Sequence, residues 1–209
     1  MKYICLTIPV IFLLAGCAVT KTSYHIQAGG SWGGIIEDTK MDAVTGATKM
    51  GVNLGVHPAV NINRRLVETG LDFLTYNQSW MYFDAGENYD GKRDLKFGEL
   101  RFPLTYNFQL FRDSNDEGQL QIKLGLSAGY ILYHKFTDSG TVPDYTLDNF
   151  SIGPAFGLST IPIKLNDKLQ LGLYLDFVRV SKVYKDLYIT TDNVGNLSNI
   201  KFGAVLRIH

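Results

Sequence analysis

The chain has 209 residues, 45% of them hydrophobic, 12% aromatic and only 19% charged, and its 20 basic side chains balance 20 acidic ones. One domain's worth of chain with this apolar fraction excludes intrinsic disorder, and the even balance excludes a nucleic-acid-binding face built on excess positive charge. With 21 Gly, 12 Tyr and 12 Phe against 6 Pro, the composition is that of an all-β chain.

Met1, Lys2 and Tyr3 make a short positive start, and residues 4–15 are an apolar run too short for the ~20 residues of a membrane helix. Together they read as a secretory signal over residues 1–17, leaving 18–209 as the folded domain. The run closes on Leu14, Ala15, Gly16 and Cys17, which looks like a lipobox. On that reading the mature chain begins at an acylated Cys17. The other reading is ordinary cleavage after Ala18. Either way Cys5 leaves with the signal, so the mature chain has no intrachain disulfide. No later apolar stretch is long enough for a membrane helix, so membrane residence must use strands.

Weak period-two alternation occupies residues 24–34 and 47–57. Val67, Thr69, Leu71 and Phe73 then oppose Glu68, Gly70 and Asp72. From Leu100, Phe102, Leu104, Tyr106, Phe108 and Leu110 alternate with Arg101, Pro103, Thr105, Asn107 and Gln109, a period no helix has. Residues 120–132, 150–159, 169–177 and 200–208 repeat it, which predicts eight strands, each about as long as the ~9–11 residues of a tilted membrane strand. Short links at 58–64, 112–118 and 162–168 alternate with longer ones at 35–46, 80–94, 134–147 and 180–197. Turns on one rim and long loops on the other is the arrangement of an outer-membrane barrel.

Alternation alone does not separate a membrane barrel from a soluble calyx with an apolar interior. The polar-set residues decide the expectation: Gly125, Ser127, Gly129, Ser151, Gly153, Ala155, Gly157 and Ser159 are small, suiting a crowded bore, whereas a solvent face usually carries Lys and Glu. Strand charges fall on the same set: Glu68, Asp72, Glu99, Arg101, Lys123, Asp176, Lys201 and Arg207. The expectation is a closed, salt-bridged bore in which they pair with one another and with Gln27, Asn53 and Gln121. Tyr76, Trp80, Tyr82, Phe83, Tyr130, Tyr133, Phe136, Tyr184 and Tyr188 are expected as a loop-side aromatic girdle, and Tyr24, Phe108, Phe111 and Phe202 as a turn-side one.

The chain resembles the small eight-stranded outer-membrane β-barrels of the OmpA/OmpX shape, and more closely PorT-like outer membrane protein β-barrel domains. The residues that carry this are Leu100-Arg101-Phe102-Pro103-Leu104, Leu124-Gly125-Leu126-Ser127-Ala128-Gly129-Tyr130 and Ile152-Gly153-Pro154-Ala155-Phe156-Gly157. The resemblance implies an all-β, eight-stranded antiparallel up-and-down transmembrane β-barrel in the outer membrane of a Gram-negative bacterium, among its lipids. The last strand is similar to a barrel-assembly signal, with Lys201, Gly203, Leu206 and Ile208 in register, which implies the assembly machinery as a biogenesis partner. It implies no reaction.

Chemical motifs are sparse. His25 and His57 fall near each other on neighbouring strands, but two ligands do not make a metal site. His134, Asp138 and Ser139 offer a Ser/His pairing for a lipid-modifying enzyme, and Asp84, Glu87, Asn88 and Asp90 lack calcium-loop spacing. No phosphate loop, zinc spacing or dinucleotide fingerprint occurs, so neither cofactor nor metal is expected. The leading expectation is a non-enzymatic barrel whose loops at 80–94 and 181–197 meet an extracellular ligand or protein. The rivals are the lipid-modifying enzyme and a lipid-anchored calyx carrying an apolar ligand.

Overall fold

The computed structural model describes residues 19–36, 44–62, 65–83, 89–112, 118–142, 145–186 and 194–209. The signal segment with Cys17, the calcium-loop candidates Asp84, Glu87 and Asn88, and Tyr188 lie outside the described residues. The strands are β1 (Val19–Ile36), β2 (Val44–Lys49), β3 (Gly51–Ile62), β4 (Arg65–Thr69), β5 (Leu71–Phe83), β6 (Tyr89–Arg112), β7 (Gly118–Gly140), β8 (Tyr145–Leu147), β9 (Phe150–Lys164), β10 (Leu169–Asp186) and β11 (Val194–Ile208). They make eight staves, because β2 runs into β3 past Met50, β4 into β5 past Gly70, and β8 caps the β9 stave against β10. Neighbouring staves pair antiparallel, and β1 closes the cylinder by pairing with both β3 and β11. The eight-stranded up-and-down barrel expected from the alternation is the fold that forms.

At the closing seam Gly29 sits opposite Gly203. A Cβ on either would overlap the facing backbone, at Phe202 O and Ala28 O respectively. Glycine is therefore required there by close approach.

The side chains settle which face is inside. Leu126 is 55% exposed and its neighbour Ser127 only 1%, and the same contrast recurs around the wall. Outward-facing Leu100, Phe102, Leu104, Tyr106, Phe108 and Leu110 on β6 make an apolar stripe about 26 Å tall at ~3.4 Å per residue and ~40° tilt. That matches the ~25 Å apolar band of a transmembrane barrel. The calyx reading is overturned, since its apolar rows would have to converge on the cavity.

Above this band the pattern inverts. On β6 the outward residues become Lys92, Asp94, Lys96 and Gly98 while Arg93, Leu95 and Phe97 are buried. On β5 the outward residues become Thr75, Asn77 and Ser79, and Leu74, Tyr76, Gln78, Trp80 and Tyr82 are buried. Strand geometry keeps its period of two, but the outer face has passed from hydrocarbon into water. A bulge at Leu132 accompanies the change, with Gly98 opposite Tyr133 and Glu99 opposite Ile131.

Two expectations are corrected here. Much of 80–94 and 134–147 is strand, with Leu95 opposite Phe136 and Gly91 opposite Gly140, so β6 and β7 project as a hairpin wall. Tyr76, Trp80 and Tyr82 point into the bore, and Phe136 packs against the same interior cluster. Tyr130 and Tyr133 do face outward, as do Tyr24, Phe108 and Phe111 at the turn side, whereas outward Phe202 lies in mid-wall opposite Gly30 and Leu175. The β1 stripe is bracketed by exposed Tyr24 and Trp32, an anchor at each interface.

Leu104 sits in the middle of the β6 stripe. Leu104→Arg should destabilise the lipid-embedded barrel by ~2–4 kcal/mol in reversible urea unfolding from phospholipid vesicles, the cost of a midplane cation.

Candidate functional site: a charged layer beneath an apolar plug

Because period-two geometry sends every second residue inward, the bore receives whatever the polar set carries. Glu68, Asp72, Glu99, Arg101, Lys123, Asp176, Lys201 and Arg207 are all buried there. Glu68 on β4 is the hub. Its Oε1 accepts from Lys123 Nζ and from the His57 ring, both at 2.9 Å, and its Oε2 accepts from the His25 ring at 2.8 Å and Asn107 Nδ2 at 3.0 Å. Those partners fill the four acceptor positions of an ionised carboxylate and come from β7, β3, β1 and β6.

Asp72 accepts from Lys201 Nζ at 2.6 Å and from His57 Nε2 at 2.9 Å. Asp176 lies 3.5 Å from Lys201 and 3.9 Å from Lys123, so the two lysines bridge three carboxylates. A second cluster holds Glu99, whose Oε2 accepts from Arg101 Nη2 at 2.8 Å and the Tyr76 hydroxyl at 3.0 Å. Arg207 is tied to the layer by hydrogen bonds. Its Nε donates to His25 Nε2 at 3.2 Å and its Nη1 to Gln170 Oε1 at 3.1 Å, so it joins the layer through His25.

The two histidines face each other across β1 and β3 and are wired differently. Both nitrogens of His57 face carboxylate oxygens, Glu68 and Asp72, and an ionised carboxylate only accepts. His57 therefore donates twice, as an imidazolium. His25 donates from Nδ1 to Glu68 and accepts at Nε2 from Arg207, the pattern of a neutral ring with its proton on Nδ1.

The small residues of the polar stripe make room for these groups. A Cβ at Gly55 would overlap Asp72 Oδ1, one at Gly129 would overlap Glu99 Oε1, and one at Gly157 would overlap Asp176 Oδ1. Asn53 donates to Gly30 O at 2.6 Å and accepts from the Tyr174 hydroxyl, and Gln121 accepts from Ser159 at 3.3 Å. Among the described residues the amide of Gln27, also buried, has no hydrogen-bond partner, so the expected pairing of Gln27 with the charges does not form there. Between Glu68, Asp72, Lys123 and Lys201 lies a cavity of about 20 Å³, enough for about one water.

Directly above, Ile35, Leu74, Tyr76, Trp80, Tyr82, Leu95, Phe97, Ile131, Val178 and Leu197 form a buried apolar cluster, with Tyr76 stacked on Phe97 at 4.4 Å. Alternation counted only in the membrane phase misses this plug, although carrying the parity of Asp72 upward along β5 assigns its Tyr and Trp inward. Arg93 caps it, paired with both Asp138 oxygens at 2.8 Å and lying over the Phe136 ring. Gln78 stitches the upper wall, donating to Ile35 O at 2.8 Å and accepting from Ile35 N at 2.7 Å.

The remaining chemical candidates do not assemble. His134 and Ser139 are exposed on opposite faces of β7, about 17 Å apart along the strand, and Asp138 is engaged by Arg93. Among the described residues no group of three potential ligands is placed to hold a metal.

Removing one member of a buried pair strands the other. Arg101→Met should cost ~3–5 kcal/mol by urea unfolding, and adding Glu99→Gln should recover much of that loss. Nitrogen NMR of histidine-labelled protein at pH 7 should show His57 protonated on both nitrogens and His25 on Nδ1 alone.

No protein-family model and no curated protein sequence matches the chain. Among solved structures it is similar to the outer membrane protein OprG from Pseudomonas aeruginosa, at 14% identity over 92% of this chain and 98% of that one, with a TM-score of 0.48. It is also similar to Neisserial surface protein A, at 15% identity over 90% and 98% of the two chains and a TM-score of 0.44. The outer membrane protein AlkL, solved in DMPC lipid bilayers, aligns at 13% identity over 90% and 89%, with a TM-score of 0.41.

Proposed function

We propose that the chain is an integral β-barrel of the outer membrane of a Gram-negative bacterium, with a closed bore, and that it acts as a rigid mount for loop-side structure. The observation that carries this is the two-tier filling of the interior. A buried ion network spans the bore, and an apolar plug stands over it. Ions crossing it would have to break buried pairs and then traverse hydrocarbon-like packing, each step costing several kcal/mol. Conduction is therefore disfavoured and display is favoured. The displaying element is the β6–β7 hairpin wall above the apolar band, with the segments at 80–94 and 181–197 meeting a ligand or protein outside the cell.

The same reading gives Lys201, Gly203, Leu206 and Ile208 to the barrel-assembly machinery during biogenesis, with Lys201 and Gly203 afterwards serving the ion network and the closing seam. An acyl chain on Cys17 would enter the turn-side leaflet, since β1 begins at Val19 on that rim. A lipid-modifying enzyme using His134 and Ser139 is not favoured by their separation.

Planar-bilayer recording tests the closed bore. The purified protein should give no stepwise conductance, and Tyr76→Ala combined with Phe97→Ala should introduce brief openings. Steady channels in the unaltered protein would contradict the reading.

A further inference from the structure

We propose that Lys49, Lys96 and Lys135 form a binding site for the phosphate groups of an anionic lipid in the outer leaflet, an inference that rests on the membrane reading above. The strand register places Lys49 opposite Asn77, Asn77 opposite Lys96, and Lys96 opposite Lys135. The three lysines thus lie in one lateral row across β2, β5, β6 and β7. All are exposed on the outer face. Among the described residues none has a carboxylate within 4.0 Å. Asp94, one row higher and within electrostatic reach of Lys49, is bonded by Ser79 and by Lys92 at 2.9 Å.

Like charges directly opposite in a sheet repel, and the Lys96–Lys135 pair is such a case. A shared anion between them removes that repulsion. The height of the row selects the anion. Outward Tyr133 lies one row below, its phenol end over Gly98, and exposed Met50 and Val52 lie below Lys49. At ~3.4 Å per residue and ~40° tilt, the lysine row stands about 5 Å above Tyr133. An aromatic at the interface with ammonium groups just above it puts those charges at headgroup level, and their stems can adjust toward it. Charge complementarity therefore points to a phosphomonoester headgroup, and the apolar wall continuous beneath the row gives its acyl chains a place to lie. A free phosphate would gain only the upper half of that site.

The test is native mass spectrometry of the full-length protein released from detergent micelles, with bisphosphorylated lipid A as the probe. Adducts should form with lipid A and weaken about 5-fold for each lysine removed in Lys96→Gln and Lys135→Gln. Lys168→Gln on the turn-side rim should leave them unchanged, dephosphorylated lipid A should bind as weakly as the double variant, and 10 mM inorganic phosphate should not displace the lipid. Equal adducts on the unaltered and double-variant proteins, or with dephosphorylated lipid A, would overturn the site, and displacement by inorganic phosphate would overturn its assignment to a lipid. Heat-modifiable gel mobility of the same sample separates the two claims. A detergent-dependent barrel indifferent to lipid A sinks only the lysine site, whereas a protein soluble without detergent sinks the membrane reading.

Discussion

A charged side chain buried in a barrel bore is costly unless donors or acceptors meet it there, and Glu68 shows how this chain supplies them. Four donors from four other staves converge on one carboxylate. The arrangement makes the barrel's closure and the network's satisfaction a single condition. Each donor reaches Glu68 only when its stave is in register, and a slip by one residue would turn that donor outward into hydrocarbon. Lys201 and Asp176 extend the coupling to β10 and β11, and Gly55, Gly129 and Gly157 provide the space the carboxylates occupy. Buried ion pairs contribute little net stability against a well-packed apolar core. Here their effect is specificity of register.

The second organising constraint is the change of solvent along each strand. Within the membrane the apolar residues face out and the polar ones in. Beyond it the outer face meets water and the interior becomes apolar, so Leu74, Leu95 and Phe97 stack over the charges. Two incompatible fillings thus share one bore, the apolar tier standing over the charged one. The lysine row stands on the outer face just past this junction, where the surrounding medium turns from hydrocarbon to headgroups.

The strand count, the antiparallel order and the inward set of charges were legible in the sequence because a single period of two ran through residues 100–110 and 120–132 without interruption. The histidine pairing was legible only as proximity. That His57 bridges two carboxylates while Arg207 reaches the layer through His25 depends on the stagger between staves, which alternation does not encode. The extended hairpin and the interior aromatics were misread for one physical reason. When the outer solvent changes, polarity inverts while parity does not, so Tyr76, Trp80 and Tyr82 resembled interface anchors although they share the inward parity of Asp72.

The chain's two tryptophans report on both sides of this arrangement, Trp32 facing out and Trp80 buried in the plug. In vesicles of chain-brominated lipid, Trp80→Phe, which keeps Trp32, should be strongly quenched relative to ordinary lipid, and Trp32→Phe, which keeps Trp80, should be nearly unaffected. Quenching of Trp80 with sparing of Trp32 would mean that the inward and outward faces are reversed.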